Sequence, residues 1–189
     1  YVTDQADHKV LIFQSDGEFV GKWGLYGTGD GEFNSPAGIA IDSNQNIWIV
    51  DSKNHRIQKY SNDGKYLHGF GRFGSEIGSL NNPWGIGLDI AGNVYVADWG
   101  NNRVQKFSPD GDPLLSIAHA DTSADSLNHP ADVTIDLEGD IYIADWGNHR
   151  VVVYEPDGTF LLAIKGDASD LSSWAKASIS ANPDLAKAR

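Results

Sequence analysis

Apolar and aromatic residues occur in this chain in short runs of about five positions, separated by Gly, Asn, Asp or Pro. Runs of this length that are rich in β-branched and aromatic residues are typical of β-strands, and the separators are typical of tight turns. Between residues 37 and 70 the pattern predicts four strands, at 38–42, 47–51, 56–60 and 66–70. The short connections between them favour hairpins, so we expect one antiparallel sheet.

The pattern repeats at a fixed interval along the chain. A four-residue segment that starts with Tyr or Trp and ends with Asp begins at residues 1, 48, 95 and 142, so that successive starts are 47 residues apart. An Asp-Gly pair keeps this interval at residues 16, 63, 110 and 157, and a proline keeps it at residues 36, 83 and 130. Three markers in one register indicate an internal repeat of one structural unit.

A single four-stranded sheet cannot bury both of its faces by itself. Units of about 40 to 50 residues with four strands bury these faces by stacking radially around a channel, which is the architecture of a β-propeller. A solenoid is the competing interpretation, but solenoid repeats are commonly shorter or contain helices. We predict an all-β propeller of four-stranded antiparallel blades, with these apolar residues on the innermost strands: Ile39, Ile41, Ile86, Leu88, Val133 and Ile135.

The third unit shows the motif of the repeat most clearly. It reads Pro-Trp-Gly-Ile-Gly-Leu-Asp at 83–89, Tyr-Val-Ala-Asp at 95–98, Asn-Asn-Arg-Val-Gln-Lys-Phe at 101–107 and Asp-Gly at 110–111. This order resembles the NHL repeat family, and the resemblance extends over residues 1–165. It implies a propeller, usually one with six blades. Two positions depart from the pattern, because Asp132 replaces a glycine and Lys9 replaces an arginine.

The repeat also predicts how the chain is divided. We expect a partial blade at 1–23, three blades at 37–70, 84–117 and 131–164, and fifteen strands in all. About four blades, together with the absence of methionine, favour a fragment of a larger six-bladed ring. The alternatives are a four-bladed ring closed by the tail or by a second chain, with association through unclosed propeller edges. Residues 166–189 lose the repeat, and apolar spacings of three and four predict a short helical tail there, in which Trp174 is the residue expected to pack on the blades.

Composition narrows the classes of partner. The chain has 14 basic and 26 acidic side chains and a net charge of −12, which disfavours nucleic acid as a partner because phosphates are bound by Lys and Arg. It has no cysteine, which excludes disulfides and thiolate metal sites, and no apolar run long enough for a membrane span. We therefore expect a soluble domain, whereas nothing in the sequence assigns a cellular compartment.

Propeller topology places two sets of loops on one face of the disc. These are the connections between the second and third strands of each blade and those between successive blades. Large aromatic rings on such loops are a recognition signal, since they offer contact area at low entropic cost. On this loop face we single out as candidate ligand-binding residues Trp84, Trp99, Trp146, His129, Asp132, His55 and His149. For Trp99 and Trp146, whose positions are equivalent, packing against the neighbouring blade is the alternative.

A second set of residues recurs in every unit and is therefore predicted to be structural, because one active site is not repeated four times. An aspartate ends the second strand and a basic residue begins the third, so that the carboxylate can accept turn N–H groups and pair with the cation. The aspartates are Asp4, Asp51, Asp98 and Asp145, and the basic residues are Lys9, Arg56, Arg103 and Arg150. The histidines at 8, 55 and 149 share one repeat position with Asn102, and this exchange favours loop hydrogen bonding over a metal site.

The sequence favours a non-catalytic recognition or scaffold module that binds a protein or peptide on the loop face. We predict no cofactor and no metal, because none of the common nucleophile-elbow, zinc, phosphate-loop or dinucleotide motifs occurs. One alternative is a metal-dependent lyase or hydrolase that uses the channel, where His129, Asp132, His55 and His149 face the same side. The other is an RNA-binding propeller, which the net charge disfavours.

Overall fold

The computed structural model describes residues 1–117 and 126–165, and the helix predicted within 166–189 lies outside these ranges. The described residues form fifteen β-strands. The first blade consists of β1 (Val2–Asp4), β2 (Lys9–Phe13) and β3 (Phe19–Trp23). The second consists of β4 (Pro36–Ile41), β5 (Ile47–Asp51), β6 (Arg56–Tyr60) and β7 (Tyr66–Phe70). The third consists of β8 (Ile86–Leu88), β9 (Val94–Asp98), β10 (Arg103–Phe107) and β11 (Pro113–Ile117), and the fourth of β12 (Pro130–Ile135), β13 (Ile141–Asp145), β14 (Arg150–Tyr154) and β15 (Phe160–Lys165).

Each blade is an antiparallel meander whose strands pair in chain order, so the predicted all-β propeller of antiparallel blades is confirmed. The first sheet has three strands and the other three sheets have four. In the second blade the last three strands begin and end at the predicted residues, whereas the first begins earlier, at Pro36. The only helical pieces in the described ranges are three single 3₁₀ turns, and none could cross a membrane.

The first strands of the three complete blades line the centre of the molecule. β4 contacts β8, and β8 contacts β12, so the apolar residues predicted on innermost strands do lie there. Between the second and third blades, Trp48, Val50 and Ile57 pack with Val94 and Phe107 in one buried cluster. Equivalent clusters fill the other two junctions, and burial of apolar surface between sheets is the main force that stacks the blades.

Two glycines allow the inner strands to approach closely. A Cβ atom at Gly38 would lie 2.6 Å from the carbonyl oxygen of Trp84, to which the Gly38 N–H donates a hydrogen bond of 2.8 Å. A Cβ atom at Gly85 would lie 2.7 Å from the carbonyl oxygen of Ala131. Both contacts are shorter than packed atoms tolerate, so each glycine is required by the strand of the following blade. Asp132 is the equivalent residue of the fourth blade and the last of the series among the described residues.

Buried carboxylates fasten the loop between blades to the blade that follows it. Asp98 is fully buried and accepts hydrogen bonds from the Asn81 backbone N–H at 2.7 Å and from Arg103 Nε at 2.7 Å. The remaining Arg103 nitrogens donate to carbonyl oxygens of the same loop, those of Ser75, Glu76 and Ser79. The predicted pairing of carboxylate and arginine is thus present, but only Nε contacts the carboxylate because the guanidinium fork binds the loop.

This arrangement recurs in the other complete blades. Asp51 pairs with Arg56 at 2.8 Å and Asp145 with Arg150 at 2.7 Å, and each carboxylate accepts a loop backbone N–H at 2.7 Å. The first blade departs from it. Asp4 accepts the backbone N–H groups of Ala6 and Asp7, while Lys9 lies 3.8 Å from Asp7 instead. A lysine ammonium lacks the fork that reaches several carbonyl oxygens, so the substitution Arg to Lys is not neutral at this position.

We expect Asp98→Ala to lower the free energy of unfolding by about 3 kcal/mol, because it leaves the buried Arg103 cation and the Asn81 N–H without their acceptor. Urea denaturation measures this change. Asp4→Ala is the matched control in the first blade and should cost less than about 1 kcal/mol, since water can replace its exposed contacts. If the two variants lose the same free energy of unfolding, the Asp98 contacts are not the stabilising element.

A second hydrogen bond joins the loops of successive blades. The backbone N–H groups of Ser35 and Asn82 donate to Nδ1 of His8 and His55 at 2.9 and 3.0 Å, and that of His129 donates to Oδ1 of Asn102 at 2.8 Å. The predicted loop hydrogen-bonding role of this repeat position is therefore confirmed in three blades. An imidazole accepts through Nδ1 only when it is neutral, and burial lowers the pKa of His55 below its ordinary value.

This bond makes stability depend on pH. Because the folded pKa of His55 is lowered, its contribution is complete above the ordinary pKa of about 6.5 and is lost as the pH falls below that value. We expect His55→Asn, which copies the third blade, to lose less stability than the wild type between pH 7.5 and pH 5. Urea denaturation at the two pH values tests this. If the variant and the wild type lose the same free energy of unfolding between these pH values, protonation of His55 is not the cause of the pH dependence.

Candidate functional site

The loop face carries a cleft of about 240 Å³ that is lined by loops of the first, second and third blades. Its lining comes from the two predicted sets of loops: Gln5, Ser52, Lys53 and Trp99 lie between second and third strands, and Ser35, Asn82 and Trp84 lie between blades. The loop face predicted from topology is therefore where the structure forms a concave surface.

Trp84 and Trp99 form the apolar side of this cleft. Their ring centroids lie 6.2 Å apart in an edge-to-face arrangement, and 47% of Trp84 is exposed. The backbone N–H of Trp84 donates to the Ala97 carbonyl at 2.9 Å, which holds the residue at the start of its blade. Trp99 begins a 3₁₀ turn, and its ring lies 4.2 Å from that of His129. Trp99 thus combines packing with cleft lining, and Trp84 is the more exposed of the two cleft rings.

Trp146 does not join this cleft, although it is equivalent to Trp99. It is 63% exposed at the start of the 3₁₀ turn of the fourth blade. Trp99 has Trp84 beside it, whereas Ala131 occupies the position of Trp84 in the fourth blade. The candidate tryptophans therefore form one contacting pair and one separate exposed ring.

Among the described residues, Lys53 supplies the only charge in the lining. It lies in the 3₁₀ turn Ser52–Asn54, where its backbone N–H donates to the Asn34 carbonyl at 3.0 Å. Its Nζ donates to Oδ1 of Asn82 at 3.2 Å. The loop backbone thus fixes the base of the side chain, and the ammonium lies at the cleft beside the polar group of Asn82.

The cleft continues into the mouth of the central channel, because Gln5 and Trp84 line both. The mouth has a volume of about 370 Å³ and also contains Thr3, Ala37 and Asp132. Loss of hydration near the inner strands raises the pKa of Asp132, while a hydrogen bond of 2.9 Å from the Val133 N–H acts in the opposite direction. A lysine and a carboxylate therefore flank Trp84, one in the cleft and one in the channel mouth.

The candidate histidines are held by separate contacts and do not form a metal-binding group with Asp132 within the described residues. His55 accepts the Asn82 N–H, His129 contacts Oδ1 of Asn128 at 2.7 Å through Nδ1, and His149 is exposed in a left-handed conformation. The one acidic or histidine cluster in the described ranges is on the opposite face and consists of Asp136, Glu138 and Asp140.

That acidic cluster reflects a change in the repeat. In the second and third blades the equivalent aspartates pair with lysines, Asp42 with Lys59 and Asp89 with Lys106, both at 3.3 Å. The fourth blade has Val153 at the lysine position and Asp140 where the other two have asparagine. The carboxylate of Asp136 accepts backbone N–H groups of its own turn, as Asp42 and Asp89 do, but has no lysine beside it at this repeat position.

Sequence reasoning placed the loops of the cleft correctly but did not single out Lys53, Gln5 or Asn82. The signal for Lys53 was present, because Gly100 and Gly147 occupy its position in the next two blades. A side chain that departs from a repeated glycine on a functional face has no repeated structural role, which makes it a candidate for a specific one.

Comparisons with known proteins agree with this architecture. Residues 1–70 match a family model described as a 6-bladed β-propeller, and residues 80–107 and 127–154 match the NHL repeat. No curated protein matches the chain.

Several solved structures share the fold. A streptogramin B lyase aligns with a TM-score of 0.64 and 13% identity over 87% of this chain and 50% of its own. Virginiamycin B lyase from Staphylococcus aureus, in a catalytically inactive form with quinupristin, aligns with a TM-score of 0.65 and 13% identity. The alignment covers 87% of this chain and 51% of the lyase. A gluconolactonase from Xanthomonas campestris aligns with a TM-score of 0.59 and 17% identity. The alignment covers 83% of this chain and 55% of the gluconolactonase. The chain spans about half the length of these structures, and at such identities the likeness concerns the fold alone.

The radial sheets and the inner strands thus define a β-propeller protein. More particularly, residues 80–107 and 127–154 of this propeller are NHL repeats, as the motif at 83–111 implied.

Proposed function

We propose that this propeller is a non-catalytic recognition module that binds a protein or peptide on its loop face. The observation that carries the proposal is the cleft in which Trp84 and Trp99 stand edge to face beside Lys53. Tryptophan is enriched among residues that dominate binding energies, because a rigid indole buries a large area for little lost entropy.

The scaffold suits this use. The loops that line the cleft are held by buried carboxylates and by hydrogen bonds between blades, so little order has to be gained on binding. Trp84 and Lys53 differ from their counterparts in the other blades, which makes the cleft unique among the repeats that the structure describes.

The experiment is selection of a random peptide library, displayed on phage, against the immobilised chain, followed by calorimetric titration of the selected peptides. We expect Trp84→Ala to weaken binding at least about tenfold, the usual effect of removing a central aromatic contact. Leu137→Ala is the control, because Leu137 is 89% exposed on the opposite face. Selected peptides that bind the Trp84 variant as tightly as the wild type would contradict the proposal.

A catalytic function is the second candidate, and Asp132 is the residue that favours it. A carboxyl group with a raised pKa at a channel mouth is suited to proton transfer. A panel of lactones and cyclic esters tests this function, with Asp132→Asn as the variant. Turnover that disappears in this variant at unchanged stability would favour an enzyme over a recognition module.

RNA is the least favoured partner. The cleft has one cation, and the net charge of −12 repels a phosphate backbone. We propose that the chain does not bind nucleic acid, and retention of random RNA oligomers at low salt would overturn this part of the proposal.

A further inference from the structure

We infer that the loop-face cleft takes the C-terminal end of a peptide, with its carboxylate at Lys53 and an apolar last side chain against Trp84. This inference rests on the proposed recognition function and specifies its ligand. It starts from the chemistry of the lining: among the described residues, every lining side chain carries a hydrogen-bond donor, the two indole N–H groups included, and none carries a carboxylate. On a chain of net charge −12 such a lining is unusual and complements an anion.

Lys53 differs from the lysines that have structural partners. Lys59 and Lys106 lie 3.3 Å from the carboxylates of Asp42 and Asp89, whereas Lys53 contacts the neutral amide of Asn82 among the described residues. An ammonium has three donors, so the contact with Asn82 orients the group and leaves donors for a ligand. Hydrogen bonds between an ammonium and a carboxylate are stronger than those between neutral groups.

The neutral donors extend the same surface. Ser35, Ser52 and Gln5 line the cleft, and the described part of the chain offers their side chains no hydrogen-bond partner. Two hydroxyls and an amide next to an ammonium can satisfy the two oxygens of a carboxylate, each of which accepts more than one hydrogen bond.

The small size of the cleft itself, apart from the channel mouth into which it continues, favours the last residue of a chain there, with the preceding residues in the mouth. Its volume of about 240 Å³ lies below the range of roughly 300 to 1,000 Å³ that holds drug-sized ligands. The exposed ring of Trp84 forms the wall shared with the channel mouth. A large apolar last residue would therefore cover this indole and have its carboxylate beside Lys53.

The charges also set the direction of the peptide. Asp132 in the channel mouth repels a carboxylate and attracts a cation, whereas Lys53 does the reverse. We therefore expect the residues before the last one to extend towards Asp132, with a preference for a basic side chain there.

The test compares two synthetic peptides, acetyl-Lys-Ala-Phe with a free C-terminal carboxylate and the same peptide as its C-terminal amide. Calorimetric titration against the intact chain, supported by tryptophan fluorescence, should give at least about tenfold tighter binding of the acid. Lys53→Gln should abolish this preference, so that the acid and the amide bind the variant equally. Lys65→Gln, an exposed lysine in a turn of the opposite face, is the matched control and should keep the preference.

A third peptide, an amide whose last residue is Glu, distinguishes a terminal carboxylate from a side-chain one. Binding of this peptide as tightly as the acid would overturn the assignment to a chain end. Equal affinity of the wild type for the acid and the amide, or no binding of either, would overturn the inference as a whole. If library peptides still require Trp84 in that case, loop-face recognition stands and only the carboxylate assignment fails.

Discussion

The structure depends on a buried carboxylate at the end of the second strand of each complete blade. Asp51, Asp98 and Asp145 each accept a backbone N–H from the loop that enters their own blade, and each pairs with an arginine. The guanidinium nitrogens not used in this pair bind carbonyl oxygens of the same loop. A charged pair in the interior is costly to desolvate, and it is tolerated here because hydrogen bonds satisfy both partners. The loops that connect blades are consequently positioned by the strands beneath them.

The functional surface follows directly from this constraint. Asn81 is bonded to Asp98, and the next residues of the loop are Asn82, Pro83 and Trp84. The Asn81 carbonyl in turn accepts the Gly100 N–H at 2.8 Å, which links the two loops that bring Trp84 and Trp99 together. The same backbone recurs in the neighbouring blades with different side chains at the exposed positions. The repeat therefore supplies the geometry, and the departures from it, at Lys53, Trp84 and Asp132, give the loop face its chemistry.

The fold could be predicted because the repeat and the strand alternation report on burial, which decides where strands begin and how blades stack. The loop face and the hydrogen-bonding role of the His55 position followed from topology and from the exchange of histidine with Asn102. Contacts between loops could not be predicted, because they depend on how separate segments meet in space. Gln58 and Gln105 illustrate this: both are fully buried and donate to a loop carbonyl as well as to the strand-end carboxylate. The predicted contact between Asp4 and Lys9 is absent for the same reason. In the complete blades the arginine at this position donates mainly to carbonyl oxygens of the loop, which the sequence of one blade does not reveal.

Amide hydrogen exchange measured by NMR tests most directly whether buried carboxylates hold the loop face. The amides in question are those of Asn34, Asn81 and Asn128, which lie in loops and donate to Asp51, Asp98 and Asp145 at 2.7 Å. We predict that these three amides exchange as slowly as amides of the adjacent strands, within about a factor of ten, because their opening requires the blade to open. Exchange as fast as that of exposed loop amides, with the strands still protected, would contradict the account.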